Sequence, residues 1–178
     1  MSVTITEGAV TLELDTDDAR VIKWDVCPAF VGGVGRLAGT RAVDICADII
    51  GHGAFYIEMK DYRGVKVPDI ARAVADKVRD TFAGLTWACD RGLGTHHHES
   101  LARELLRQPL QIILWMDHDR PEAAGANALG REVKRLLRSY LRAEVIVTST
   151  ALEQATQKPL AWLRARGQPS ARLAGRRR

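Results

Sequence analysis

The stretch LQIILWMD, residues 110–117, limits the fold more than any other part of the chain. It is an apolar run of strand length, and a strand apolar towards both alternating sides needs cover on both faces. Such strands sit centrally in sheets whose parallel connections are helices. The flanking segments agree with that placement. THHHESLARELLRQ (95–108) before it reads as a helix, and NALGREVKRLLRSYLRA (127–143) after it has helical spacing through Leu129, Val133, Leu136, Leu137, Tyr140 and Leu141. EVIVTS (144–149) then reads as the next strand.

Upstream the pattern switches to period two. AVTLELD (9–15) and ARVIKWD (19–25) read as strands, with Asp17-Asp18 as the turn of a hairpin between them. PAFVGGVGRLAGT (28–40), opened by Pro28 and rich in glycine, reads as loop. Its glycines miss the G-x-G-x-x-G spacing and no Gly-Lys-Ser/Thr follows, which argues against a nucleotide-binding loop. RAVDICADI (41–49) and AFYIEMK (54–60), joined by GHG, read as a second hairpin. PDIARAVADKVRDTFAGL (68–85) is an amphipathic helix with Ile70, Val74, Val78, Thr81, Phe82 and Leu85 on one stripe, Asp69 as N-cap and Gly84 near its end. The order predicts one α/β domain over residues 1–160, a mixed sheet with helices packed on its faces.

Charge divides the chain unevenly. Residues 164–178, RARGQPSARLAGRRR, hold six Arg and no acid, so the formal net charge of +4 leaves about −2 for residues 1–163. The basic tail, 161–178, is expected to be disordered, as either a non-specific phosphate contact or a solvated end. No stretch approaches the roughly 18 uninterrupted apolar residues of a membrane helix, and the N-terminus lacks a signal-peptide pattern; the expected location is cytoplasmic. Cys27, Cys46 and Cys89, odd in number and widely spaced, suggest reduced thiols rather than a disulfide framework or a zinc site.

The chemistry concentrates at YIEMKDYRG (56–64), where an apolar strand gives way to charge. Alternate strand residues share a face, so Glu58 and Lys60 point together while Met59 points to the other side. On the neighbouring strand Asp44 and Asp48 share a face, and a hairpin turning around 50–53 sets position 44 across from roughly 58–60. Two carboxylates at one strand end repel each other unless a positive group lies between them. A hard divalent cation meets that need, taking Asp44, Glu58 and the Met59 backbone carbonyl as oxygen ligands, with Lys60 beside the nucleophilic water or the phosphorus centre. The same pattern also fits a plain Glu58–Lys60 or Asp44–Lys60 ion pair.

Asp44 followed after a hairpin by Glu58-Met59-Lys60, 14 residues on, resembles the D-x(n)-E-x-K signature of the PD-(D/E)XK nuclease superfamily, the restriction-endonuclease-like fold. The resemblance covers about residues 40–116. It implies a Mg²⁺- or Mn²⁺-dependent phosphodiesterase, an endonuclease acting on nucleic acid with DNA as the expected substrate, in which Asp44 and Glu58 are metal ligands and Lys60 serves the nucleophile. Val43 stands where many members have Pro. The upstream acid carried on a helix in many members falls here in a strand region, with Asp25 as its candidate and Glu13 and Glu7 behind it. The alternative is an inactive binding or assembly subunit that keeps this fold. A homodimer or an accessory protein is compatible with either.

Arg63 and Lys66, just after the motif, are the first candidates for phosphate contacts. Arg131, Arg135, Arg138 and Arg142 recur on one helical stripe, as either a backbone-contacting stripe or a solvated face. His96, His97 and His98 are adjacent rather than four apart, which favours a solvated helix start over a zinc site. Trp24, Trp87, Trp115 and Trp162 are scattered and read as packing residues.

Overall fold

The computed structural model describes the chain except for residues 1, 9, 16–18, 65–68, 92–95, 119–122, 140, 156–162 and 168–178. In chain order the elements are β1 (Ser2–Glu7), β2 (Val10–Asp15), β3 (Ala19–Lys23), α1 (Pro28–Gly32), β4 (Ile45–Ile49), β5 (Gly53–Asp61), α2 (Ile70–Arg91), α3 (His96–Arg107), β6 (Leu110–Asp117), α4 (Ala123–Leu137), β7 (Ala143–Thr148), α5 (Thr150–Ala155) and β8 (Leu163–Gly167). Five strands form a mixed sheet in the order β3-β4-β5-β6-β7. The first three are antiparallel neighbours, and β5, β6 and β7 are parallel. The parallel pairs require crossovers, which α2 with α3 and then α4 provide.

The apolar run at 110–117 is β6, an interior strand between β5 and β7 rather than the middle one, and both its faces are covered as expected. Ile112, Leu114 and Met116 pack with Val74, Val78, Leu101, Leu105, Val133 and Leu137 of the helices. Ile113 and Trp115 face the other way, onto Val10, Leu12, Leu14 and Leu163. That second cover corrects the expectation of helices on both faces: here it is a small sheet, in the order β1-β2-β8.

The expected hairpin between 9–15 and 19–25 does not form. β2 pairs antiparallel with β1 through a turn at Gly8, whose φ of +59° suits glycine, whereas β3 pairs with β4 in the main sheet. Burial explains the separation, because Val10, Leu12 and Leu14 are fully buried only by lying across the far face of the main sheet. Residues 163–167, assigned to the basic tail by composition, form β8 on the free edge of β2; 168–178 lie outside the described residues.

The β4–β5 hairpin forms as read. Gly51 and Gly53, with φ of +80° and +104°, give its GHG connection the left-handed backbone that β-carbon-bearing residues resist. The segment read as loop contains α1, opened by Pro28 at its first turn, and a 3-10 turn at Val34–Arg36. Phe30 of α1 is buried against Trp24, ring centroids 6.1 Å apart. α2 extends to Arg91, well beyond 85. Gly84 is therefore inside the helix, where a β-carbon would lie 3.1 Å from the Phe30 ring and 3.4 Å from Trp24, so its role is close packing rather than termination. The N-terminal reading holds, since Asp69 Oδ1 accepts the Arg72 N–H at 3.1 Å.

The three cysteines are free, Cys27 and Cys46 buried and Cys89 half-buried. Burial pushes the Cys46 thiol well up, Cys27 adding to it, and also raises Cys27 and Cys89. Thiolate formation and access both control alkylation. A maleimide added to the native protein is therefore expected to label Cys89 first and Cys46 only on unfolding, as read by peptide mass spectrometry. Equal rates at the two positions would contradict the packing of β4.

Candidate functional site: four charges at the end of β4 and β5

Asp44 is the residue immediately before β4, not within it. The register Ile45↔Ile57 sets it across from Glu58, as the hairpin argument expected. Three backbone contacts hold this segment. The Val43 N–H donates to Thr81 Oγ1 of α2 at 2.9 Å, the Trp24 N–H donates to the Asp44 carbonyl at 3.0 Å, and the Met59 N–H donates to Asp44 Oδ2 at 2.7 Å. The Trp24–Phe30–Gly84 packing lies behind the second of these. Asp44 is thus fixed by the neighbouring strand, by α2 and by the turn after β3.

Glu58 and Lys60 share the helix-side face of β5, and Met59 is buried on the opposite one, as the alternation predicted. Both acids are nearly inaccessible, Asp44 at 3% and Glu58 at 1% exposure. Lys60 Nζ lies 3.0 Å from Glu58 Oε1 and 3.4 Å from Asp44 Oδ2. A fourth member was not read from the sequence: Lys77 of α2, whose Nζ lies 2.6 Å from Glu58 Oε1 and 3.6 Å from Asp44 Oδ1. The signal was present in the pattern. Lys77 falls three residues after Val74 and four before Thr81, on the buried stripe, where lysine is rare unless paired.

The electrostatics follow from this packing. Burial pushes the Glu58 carboxyl above its ordinary value and the Asp44 charge adds to that, while Lys77 and Lys60 oppose it. Burial would lower Lys60, but the Glu58 and Asp44 carboxylates and their hydrogen bonds outweigh it and raise it, so its ammonium stays charged at neutral pH. Tyr62, half-buried just beyond, is also raised, first by burial.

The carboxylate pair can serve a hard cation. Glu58 Oε2 is buried and accepts no hydrogen bond among the described residues, which leaves an oxygen available for coordination. A strand residue's N–H and C=O point to the same edge, so the Met59 carbonyl faces the Asp44 side as its N–H does. Two carboxylates, a carbonyl and water suit Mg²⁺, which keeps several waters and seldom uses an all-protein cage. Among the described residues no group of three or more His, Cys, Asp or Glu side chains is close enough to hold a metal.

The candidates for a third acid lie on separate elements. Asp25 sits in the turn after β3, half-buried, with Oδ1 buried and without a hydrogen-bond partner among the described residues. Burial raises its carboxyl, Lys23 opposing and Asp44 adding. Glu7 is taken by Lys23 at 2.9 Å, and Glu13 belongs to β2 of the small sheet.

The proposed phosphate contacts separate. Arg63 grips Asp61 through Nε at 2.8 Å and Nη2 at 3.1 Å, so its guanidinium is already engaged; Lys66 lies outside the described residues. Arg131 and Arg135 are exposed on α4, with Arg135 paired to Glu132, and Arg138 is exposed just after it. Arg142 was placed on the same stripe, but α4 ends at Leu137, and Arg142 lies in the connection to β7. His96 begins α3, and His97 and His98 follow within it, so the three fall at a helix start as read. Trp24 and Trp115 are core residues, whereas Trp87 is exposed with Arg91 over its ring at 5.3 Å; Trp162 is outside the described residues. No helix of the described residues is long and apolar enough to cross a membrane.

Comparison with known proteins gave no matching family model, no matching curated protein and no matching solved structure.

Proposed function

We propose that the chain is a metal-dependent phosphodiesterase of the PD-(D/E)XK type, hydrolysing nucleic acid, with DNA as the expected substrate. The observation that carries the reading is the meeting of Asp44 and Glu58 at the hairpin end, with Lys60 within 3.4 Å of both. The order of elements supports it: an antiparallel trio, β3 to β5, then α2 and α3 crossing over to a parallel β6, an arrangement compatible with the strand–strand–helix–strand core that the reading requires.

In this reading Asp44, Glu58 and the Met59 carbonyl hold Mg²⁺ or Mn²⁺, which when bound supplies Lewis acidity towards a phosphoryl oxygen and a more acidic water. Asp44 is oriented for this by the Met59 N–H. Lys60 keeps its proton and offers a fixed positive charge where negative charge grows on the phosphate oxygens. Arg131 and Arg138 add a diffuse attraction for the nucleic-acid backbone.

The alternative reading, a catalytically inactive binding or assembly subunit, draws on Lys77. With two ammoniums on two carboxylates the cluster is already neutral, as a purely structural network would be. A cleavage assay with Mg²⁺ or Mn²⁺ titrated over single- and double-stranded DNA and RNA separates the two. Wild type is expected to cut at least one substrate in proportion to bound metal, and Glu58→Ala and Lys60→Ala to fall to background. Wild-type cleavage no better than those variants favours the inactive subunit.

A further inference from the structure

We propose that Lys77 is a built-in competitor for the divalent cation, its ammonium holding the Glu58 and Asp44 carboxylates until a cation displaces it. The inference rests on the metal-binding reading above and deepens it by assigning a role to a residue outside the D-x(n)-E-x-K pattern. The ammonium reaches both acids, at 2.6 Å and 3.6 Å, and so stands between the same pair of groups that a divalent ion would join.

Lys77 and Lys60 are not equivalent in this. Lys60 follows Glu58 by two residues on the same face of the same strand, so its point of attachment lies beside the acids. Lys77 reaches in from a separate element, α2, and like Lys60 it is part-exposed, its side chain keeping 18% of its surface against 28% for Lys60. Its flexible four-carbon stem can move the charge to water while α2 stays in place.

Charge balance gives the direction of the effect. Two ammoniums match two carboxylates, so a divalent ion entering the full cluster would add two uncompensated positive charges. Withdrawal of Lys77 removes one of them. It also ends the repulsion between two ammoniums that share Glu58 Oε1, at 2.6 Å and 3.0 Å. Lys77 therefore weakens cation affinity and stabilises the cation-free protein, which makes occupancy of the site responsive to the free ion concentration.

Calorimetric titration of Mn²⁺ into the full chain tests this without reference to activity. Lys77→Met and Lys77→Gln, which remove the charge with and without keeping a polar end, are expected to bind Mn²⁺ about tenfold tighter than wild type or more, since one like charge has left the site. Lys77→Arg keeps the charge and is expected to bind like wild type. Glu58→Gln is expected to bind weakly or not at all, and the melting transition of each variant records that it is folded. If wild type binds, Glu58→Gln does not, and neither neutral Lys77 variant binds tighter, the competitor role is overturned while the metal reading stands. If no variant binds, both fall together.

Discussion

Asp44→Asn is expected to lower metal-dependent cleavage by about a thousandfold or more, near 4 kcal/mol of transition-state stabilisation, while the protein remains folded. The two effects separate because Asp44 does two jobs with one group. Its Oδ2 accepts the Met59 N–H at 2.7 Å, and an asparagine carbonyl can accept the same bond in the same shape. What asparagine cannot supply is negative charge for a cation, or an acceptor on its second atom, where Lys77 Nζ lies 3.6 Å from Oδ1. An amide donor there faces an ammonium donor. Loss of these charge-assisted contacts is expected to cost about 1.5–3 kcal/mol of stability, read as a shift in the urea midpoint. Cleavage within tenfold of wild type at saturating Mn²⁺ would remove Asp44 from the chemistry.

Asp44, Glu58 and Lys60 could be placed from the sequence because the argument is local. Strand alternation sets which residues share a face, and the GHG turn sets the register of one hairpin; neither depends on distant parts of the chain. Lys77 and the fate of the β2 strand depend on such parts. The alternation in AVTLELD shows that Val10, Leu12 and Leu14 face an apolar partner without saying which, and the partner is the far face of the main sheet. β8 was hidden by its arginines: composition reads LRARG as tail, but a strand needs only backbone partners and one buried anchor, here β2 and Leu163. Lys77 was lost in the reverse way, since an apolar stripe is read by its apolar members and a lysine on it passes for an edge residue. α1 is too short to leave a periodic signal, and its stability comes from Phe30 against Trp24.

The largest effect on stability is expected from Lys60→Met combined with Lys77→Met. The acids they neutralise keep only 4% and 2% of their side-chain surface, so the double variant strands two carboxylates that repel each other in a poorly solvated site. Removing one side of a buried pair costs about 3–5 kcal/mol, and a loss of that size in urea unfolding at neutral pH is expected. Either single substitution is expected to cost clearly less, because the remaining ammonium still touches both acids; the double loss should therefore exceed the sum of the two. A divalent cation replaces what was removed. Mn²⁺ is expected to restore most of the lost stability in the double variant and to add less to wild type, because a ligand at free concentration L bound only by the folded state stabilises by RT ln(1 + L/Kd) and the variant, without the competing ammoniums, has the lower Kd. Lowering the pH should act in the same direction. Glu58 already titrates above its ordinary value in the folded protein, and without the lysines that oppose the shift it moves higher. The folded state then holds more protons than the unfolded one between the two values, so stability rises as pH falls through the folded value towards the unfolded one. A double variant as stable as wild type, indifferent to both Mn²⁺ and pH, would mean that the two acids are not charged in the fold, and the cation-binding proposal would lose its electrostatic basis.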